Sequence, residues 1–228
     1  MTRPVPSITA IALVSGGLDS CVALAEAVHR TAGEVAALHA GYGQRTESRE
    51  RRAFLEIADH YGLAHRREVD LRYLRQLGGS SLTDRTIPMP GEDLCADEVP
   101  STYVPFRNAS LLSAAVACAE VLGAPEIYCG AHAPGSPYPD TRPAFFGAFG
   151  RLVDAATPPS VRIGVRTPLL HLDKAAIIRR GMQLGAPLGL TWSCYVDTES
   201  PCGDCHSCRL RSRGFAAAGL PDPLESRC

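Results

Sequence analysis

The chain has 228 residues, of which 45% are hydrophobic and 21% are charged, and its formal net charge is −1 at pH 7. This length suffices for one domain with a good core, alone or with a small appendage. The balanced charge gives no electrostatic reason to expect direct nucleic-acid binding, and no apolar stretch reaches membrane-spanning length. The first residues lack a signal-peptide pattern, so we expect a soluble cytoplasmic protein with no membrane partner.

Apolar strand candidates alternate with amphipathic helix candidates along the chain. The predicted strands are residues 8–14, 34–40, 64–69, 126–130 and 161–167, and the predicted helices are residues 18–30, 45–61, 107–122, 143–155 and 173–184. Such alternation pairs strands in parallel through right-handed crossovers, which predicts a doubly wound, parallel, five-stranded α/β sheet. In sheets of this kind ligands bind beyond the carboxyl ends of the strands, where the strand order reverses.

Two segments interrupt this alternation. Residues 78–105, the long connection, are rich in Gly, Ser, Pro and Asp and have little periodicity. Long loops in compact domains are usually functional, so we expect a lid or substrate loop, with a disordered insert as the alternative. The second segment carries cysteines and begins near residue 190. We therefore expect residues 1–189 to form the α/β domain and residues 190–228 a small metal-binding appendage packed on it.

The first predicted strand runs into a glycine-rich sequence, Ser15-Gly16-Gly17-Leu18-Asp19-Ser20, which we call the phosphate loop. A strand, a tight turn and a helix together place backbone N–H groups at a helix N-terminus, where they bind phosphate. The two glycines allow the backbone to approach closely. The serines add hydroxyl donors, and the Asp19 carboxylate is suited to holding Mg²⁺. An ordinary glycine-rich turn is the alternative.

The phosphate loop differs from two better-known phosphate-binding sequences. It lacks the Gly-Lys-Ser/Thr ending of a P-loop and the G-x-G-x-x-G spacing of a dinucleotide fold. It resembles the pyrophosphate loop, S-G-G-x-D-S, of the N-type ATP pyrophosphatases. Members of that class cleave ATP between the α- and β-phosphates, adenylate a substrate and release pyrophosphate.

Four of the nine cysteines form a cluster near the C-terminus: Cys194, Cys202, Cys205 and Cys208. Two-residue spacing lets neighbouring thiolates meet one ion, and four thiolates complete a tetrahedral zinc shell with Zn–S bonds of about 2.3 Å. A closed shell indicates a structural Zn²⁺, with an iron–sulfur cluster as the rival. Cytosolic redox conditions favour bound thiolates over disulfides. Three arginines that follow are placed to offset the thiolate charge: Arg209, Arg211 and Arg213.

The other cysteines are less informative. Cys118 and Cys129 lie in apolar helix and strand patterns, which predicts burial. Cys21 follows the phosphate loop, and a packing role is favoured over a reactive thiol. The pattern assigns no role to Cys95 or Cys228.

Several further segments accompany the phosphate loop and the cysteine cluster. They are Gly43-Gln44-Arg45, Tyr103-Val104-Pro105-Phe106-Arg107-Asn108, Tyr138-Pro139-Asp140-Thr141-Arg142-Pro143, Thr167-Pro168-Leu169 and Thr191-Trp192-Ser193-Cys194-Tyr195. In this order and spacing they resemble the family of 7-cyano-7-deazaguanine synthases of queuosine biosynthesis. The resemblance covers nearly the whole chain and implies an AMP-forming C–N ligase with an adenine nucleotide alpha hydrolase-like fold.

The resemblance implies a reaction and its cofactors. Members of that family adenylate 7-carboxy-7-deazaguanine, let ammonia displace AMP to give an amide, and use a second ATP to dehydrate the amide to a nitrile. ATP, Mg²⁺ and Zn²⁺ are the implied cofactors, and a homodimer is the implied assembly.

The resemblance also implies roles for single residues. The implied catalytic residues are Asp19, Ser20 and Arg107. Nucleotide binding falls to Ser15, Gly16, Gly17, Leu18, Asp19, Ser20 and Gln44. The substrate side falls to Tyr138, Asp140, Arg142 and His132. Alternatives remain for two of these: a helix-start salt bridge for Arg107, and a solvated helix start for Gln44 with its neighbour Arg45.

The sequence departs from the family pattern on the acceptor side. The loop after Gly130 is shorter and lacks an acidic residue, Thr141 replaces a cysteine, and Phe106 replaces a small residue. These departures motivate a second hypothesis, in which the same acid is adenylated but joined to another amine, for example on a protein. A third hypothesis is a zinc-bearing nucleic-acid-binding module, against which the near-zero net charge argues.

Overall fold

The computed structural model describes residues 8–90, 99–196 and 199–224. Cys95 and Cys228 lie outside the described residues, as do residues 91–98 of the long connection. Within the part that is described, no helix has the length and apolar character needed to cross a membrane.

The sheet has five parallel strands: β1 (Ile8–Leu13), β2 (Glu34–Gly41), β3 (Arg66–Asp70), β4 (Glu126–Tyr128) and β5 (Gly164–Arg166). Their order is β3-β2-β1-β4-β5. The chain therefore builds outward from β1 on one side and then crosses back to add β4 on the other. The doubly wound parallel fold predicted from the sequence is confirmed, and its switch point lies between β1 and β4.

In the described residues, seven helices surround the sheet: α1 (Leu18–Arg30), α2 (Glu47–His60), α3 (Tyr73–Leu77), α4 (Arg107–Leu122), α5 (Pro143–Ala156), α6 (Lys174–Gln183) and α7 (His206–Ala218). The five predicted helices agree with α1, α2, α4, α5 and α6 to within two residues at each end. The sequence did not predict α3 or α7. Two 3-10 turns, Pro139–Thr141 and Leu188–Leu190, complete the regular structure.

Alternate residues of the strands enter two apolar cores. Ala10 and Ala12 of β1 pack in a core with α1, α2 and α6, whereas Ile11 packs in a core with α4 and α5. Burial on both faces is what a parallel sheet between two helical layers requires. This rigid platform fixes the carboxyl ends of β1 and β4, from which the functional loops extend.

The described part of the long connection packs against the α/β body. Ser80 and Ser81 are fully buried, and the Ser81 amide donates to the Ser101 carbonyl at 2.8 Å. The Arg45 guanidinium donates to the carbonyls of Asp84 and Ile87 at 2.9 and 2.8 Å. Arg45 thus fastens the long connection to the start of α2, a use of this arginine that the sequence did not indicate.

Phe106, at the N-cap of α4, has φ = 57°, and no other described non-glycine residue has a positive φ. Its side chain is 69% exposed and does not line the cavity described below.

We expect Phe106→Gly to raise the free energy of unfolding by about 1 kcal/mol, because the left-handed conformation costs an L-residue about 1–2 kcal/mol and the flexibility of unfolded glycine offsets part of this. Urea denaturation measures the effect. Phe106→Ala, which keeps the strain, serves as the control, and a destabilised glycine variant would contradict the prediction.

Candidate active site

A cavity of about 380 Å³ opens at the carboxyl ends of β1 and β4. Its lining includes the phosphate loop, residues from the loop after β4 and the segment that begins at Trp192. This is the switch point of the sheet, where α/β proteins bind their ligands. Of the predicted site residues, those that line it are Ser15, Gly17, Leu18, Asp19, Ser20, Gln44, Arg107, His132, Tyr138 and Cys194.

The phosphate loop is shaped by Gly16 and by its own hydroxyl groups. Gly16 has φ = 89°, and a Cβ there would lie 2.4 Å from the Glu50 carbonyl oxygen, so no larger residue fits. Ser20 Oγ donates to the Gly17 carbonyl at 2.9 Å and accepts from the Ser15 amide at 3.2 Å. The Gly17 amide donates to Ser15 Oγ at 3.2 Å. These contacts hold the loop in one form at the N-terminus of α1.

Gly130, just beyond β4, packs directly against the phosphate loop. A Cβ at this position would lie 2.7 Å from both the carbonyl carbon and the carbonyl oxygen of Asp19. The absent side chain therefore lets the backbone after β4 reach the phosphate loop. The acceptor-side loop and the ATP-side loop meet at this contact.

Asp19 is the charged centre of the cavity. Its two carboxylate oxygens accept from Lys174 Nζ at 2.7 and 2.8 Å, and His132 Nε2 lies 3.5 Å from Asp19 Oδ2. Lys174 is the first residue of α6, where Asp173 caps the helix by accepting from the Ala176 amide at 2.7 Å. The sequence predicted this helix but gave no sign that Lys174 faces the phosphate loop.

Burial sets the protonation state of His132. It lowers the pKa of the ring below its usual range, with the Asp19 carboxylate opposing this shift and the Lys174 ammonium reinforcing it. The ring is therefore neutral at pH 7. A neutral imidazole in a cavity is suited to accepting or donating a hydrogen bond to a polar ligand.

Arg107 is a partly buried cation at the start of α4. Its guanidinium donates to Tyr42 Oη at 3.2 Å and lies 5.5 Å from the centre of the Tyr42 ring. Burial opposes its charge, yet the Tyr42 hydroxyl and the Asp140 carboxylate leave its pKa above the usual range. Among the described residues it forms no ion pair with a carboxylate, so the helix-start salt bridge considered from the sequence is not seen there. Such a cation is suited to receive an anionic ligand.

The remaining predicted residues differ in what they contact. Gln44 accepts from the Tyr42 amide and donates to Glu50, each at 2.9 Å, so its amide already has protein partners. The Tyr138 hydroxyl lies 2.7 Å from Thr102 Oγ1, and its ring stacks on Tyr103.

Gly16, Asp140 and Arg142 lie outside the cavity lining that the described residues form. Asp140 is buried and accepts from the Asn108 amide at 3.1 Å, which ties the turn at Asp140 to the first turn of α4. Arg142 is exposed at the start of α5. The roles given to these residues from the sequence stay predictions.

The four clustered cysteines meet at the N-terminus of α7. Their Sγ atoms all lie within 4.8 Å of one another, and the described cysteines form no disulfide. Four thiolates on one tetrahedral Zn²⁺ at about 2.3 Å have sulfurs about 3.8 Å apart. The Cys202 and Cys208 sulfurs lie 4.0 Å apart, and the Val196 and Cys202 amides donate to Cys194 Sγ at 3.3 and 3.4 Å. The cluster therefore fits one metal ion, as the spacing predicts.

The arginines after the cluster pair with carboxylates. Arg211 is buried and donates to both carboxylate oxygens of Asp222, at 2.7 and 2.9 Å. Arg209 donates to Asp204. These two pairings offset the charge of Arg211 and Arg209, which weakens the basic surface that nucleic-acid binding needs.

The fold and this site define a class of α/β protein with a loop that resembles the pyrophosphate loop of the N-type ATP pyrophosphatases and a cysteine cluster that could hold a metal ion. Within this class the chain belongs to the family described as queuosine biosynthesis protein QueC, whose model matches residues 9–219. Relatives named 7-cyano-7-deazaguanine synthase are 50% identical in Chlorobaculum tepidum and 48% identical in Chlorobaculum parvum, over 217 residues that cover 95% of both sequences. A third, from Chlorobium phaeobacteroides, is 48% identical and covers 95% of this chain and 96% of its own. The family resemblance found in the sequence is confirmed.

Proposed function

We propose that this protein converts 7-carboxy-7-deazaguanine to 7-cyano-7-deazaguanine with ammonia and two molecules of ATP. The single observation that carries the proposal is one cavity lined both by the phosphate loop and by a partly buried arginine, Arg107, that has no carboxylate ion pair among the described residues. Both the names of the relatives and the family description support it. Because the relatives align over nearly their full length, the activity is assigned to the whole chain.

The first ATP makes the carboxylate reactive. The acid attacks the α-phosphate, which forms an acyl adenylate and releases pyrophosphate. The N–H groups of the phosphate loop and the Lys174 ammonium hold the departing phosphates. Mg²⁺, with Asp19 as its protein ligand, supplies further charge neutralisation when bound. Arg107 orients the substrate carboxylate and stabilises charge on the acyl adenylate.

Ammonia then attacks the acyl carbon, and AMP leaves with the oxygen to which it was attached. The oxygen of the product amide then attacks the α-phosphate of a second ATP in the same cavity and releases a second pyrophosphate. This oxygen departs on AMP, both N–H protons are lost and the nitrile remains. His132 and Tyr138 both line the cavity, His132 beside Asp19 of the phosphate loop, and we infer that the deazaguanine ring lies against Tyr138. We infer that Tyr138 stacks on this ring, as aromatic side chains do with bases.

In this proposal the cysteine cluster holds Zn²⁺, and the ion has a structural role because it fixes the segment that forms part of the cavity wall. We propose that the protein is cytoplasmic, because the cytoplasm supplies ATP and its reducing conditions keep thiolates free to bind a metal ion. We further propose a homodimer.

No observation favours the hypothesis of a different amine acceptor. Thr141, one of the departures that motivated it, has a structural use: its Oγ1 hydrogen-bonds Ser136 Oγ and the Tyr138 carbonyl, each at 2.8 Å, and so supports the turn at Tyr138.

Product analysis tests the proposed function. Purified protein is incubated with 7-carboxy-7-deazaguanine, ATP, Mg²⁺ and ammonium, and the products are followed by mass spectrometry. The expected result is the nitrile, with two AMP formed for each nitrile and none in the absence of the acid. AMP formation without nitrile would favour another amine acceptor, and the absence of any AMP would refute the adenylation chemistry.

A further inference from the structure

Trp192, the only tryptophan in the sequence, lies between the phosphate loop and the cysteine cluster. Its backbone amide donates to the Gly16 carbonyl at 2.8 Å, and its side chain is 3% exposed. Its carbonyl oxygen lies 3.7 Å from the position that a Cβ on Gly17 would take. The backbone of Trp192 thus hydrogen-bonds Gly16 and lies next to Gly17.

The hydrogen bond from Trp192 fixes the orientation of one peptide group in the phosphate loop. The Gly16 carbonyl and the Gly17 amide belong to the same planar, trans peptide unit and point in opposite directions. When the carbonyl is held by Trp192, the Gly17 N–H is directed away from it, toward Ser15 Oγ. Ser15 and Gly17 both line the cavity. The Gly17 N–H, which here donates to Ser15 Oγ, therefore lies where a phosphate bound at the N-terminus of α1 would compete for it.

The same segment is fixed from the other side by the cysteine cluster. Trp192 packs with Ala53, Cys194 and Cys208, and Cys194 follows it by two residues. Just before it, the buried Arg211 donates to Thr191 Oγ1 at 2.7 Å and to the Leu188 carbonyl at 3.1 Å. The position of the Trp192 amide therefore depends on the place that Cys194 occupies in the cluster.

We propose that metal occupancy of the cysteine cluster sets the affinity of the phosphate loop for ATP, with the backbone of Trp192 as the positioning element. Without an ion, four thiol or thiolate groups within 4.8 Å of one another have nothing to hold them together, so the 191–196 segment loosens and the Gly16–Gly17 peptide loses its fixed orientation. The effect must be reciprocal: a metal that strengthens ATP binding is itself bound more tightly when ATP is present. The inference rests on the proposed function, since it takes ATP to be the ligand of the phosphate loop.

The fluorescence of Trp192 reports both events in one experiment. The protein is titrated with α,β-methylene-ATP, which is not cleaved at the α–β bond, and the tryptophan emission gives the Kd of the nucleotide. The titration is carried out on the metal-loaded protein, again after a chelator has removed the metal, and again after Zn²⁺ has been restored. The expected result is a saturable emission change whose Kd rises at least 10-fold on metal removal and returns on restoration. In the reciprocal measurement, the nucleotide slows metal release to the chelator.

Matched cysteine variants cover the case in which complete chelation unfolds the protein. Cys202→Ala removes the exposed ligand of the cluster, and Cys118→Ala removes a half-buried cysteine of α4 outside it. We expect the nucleotide Kd of Cys202→Ala to follow its metal content, at constant circular dichroism, whereas Cys118→Ala keeps the wild-type metal content and Kd.

The outcomes separate this inference from the proposed function. A Kd that stays within twofold whatever the metal content would overturn the coupling and leave the synthase assignment standing. Failure of the metal-loaded protein to bind the nucleotide would overturn both.

Discussion

Asp19→Asn is expected to lower kcat/KM for ATP by about 10²–10³-fold, the usual cost of removing one preorganised group that stabilises charge in a transition state. Asparagine keeps the size of the side chain but does not provide the anionic oxygens that Mg²⁺ prefers. It also leaves Lys174, which now donates to both oxygens of Asp19, without its anionic partner. Steady-state release of pyrophosphate and AMP measures the loss.

The control for this variant is Asp59→Asn. Asp59 lies near the C-terminal end of α2, and its side chain is 69% exposed and pairs with Arg66 of β3. We therefore expect Asp59→Asn to keep wild-type activity. If Asp19→Asn kept more than a tenth of wild-type kcat/KM at saturating Mg²⁺, Asp19 would not be the metal-holding residue of the phosphate loop.

Arg107→Met is expected to lower kcat/KM for the acid by about 10²-fold or more while the melting temperature stays the same or rises. A partly buried cation with no carboxylate ion pair among the described residues is costly to desolvate, and an apolar side chain of similar volume removes that cost. Loss of function without loss of stability distinguishes a group kept for binding from a structural one. Acid-dependent exchange between pyrophosphate and ATP measures the loss of activity, and thermal unfolding measures the melting temperature.

Arg162→Met provides the matched control for Arg107. Arg162 is exposed before β5, and its guanidinium donates only to the carbonyls of Pro159 and Val161 among its recorded contacts. We expect this variant to keep full activity. A large drop in melting temperature for Arg107→Met, with activity lost in proportion, would assign Arg107 to the structure of the α4 N-terminus.

Local sequence patterns predicted much of this fold. The bounds of α1 and α4 agree with the prediction at both ends, because apolar periodicity begins and stops there and Gly123 ends α4 in the left-handed conformation at φ = 69°. Helix α7 was missed because its N-cap is Cys205, a residue whose spacing indicates metal binding rather than a helix start. The short α3 carries too few residues for a periodic signal.

The candidate site was predictable only where its residues are close in sequence. The phosphate loop and the cysteine cluster are short motifs, and the cavity and the clustered sulfurs agree with them. Lys174 is 155 residues from Asp19, and only the fold brings the two charges together. Gln44 shows the opposite case, since its position in a family segment suggested nucleotide contact whereas Tyr42 and Glu50 already use its amide.

The contact between Gly130 and the Asp19 backbone has a consequence for evolution and for protein engineering. Because a side chain at Gly130 has no space, this glycine fixes where the backbone after β4 meets the phosphate loop. Residues 133–137 follow this fixed point and touch neither the phosphate loop glycines nor Lys174 in the contacts recorded for the described chain. A library that varies those five positions and retains Gly130 would explore new amine acceptors while the ATP-activating half of the enzyme is inherited unchanged.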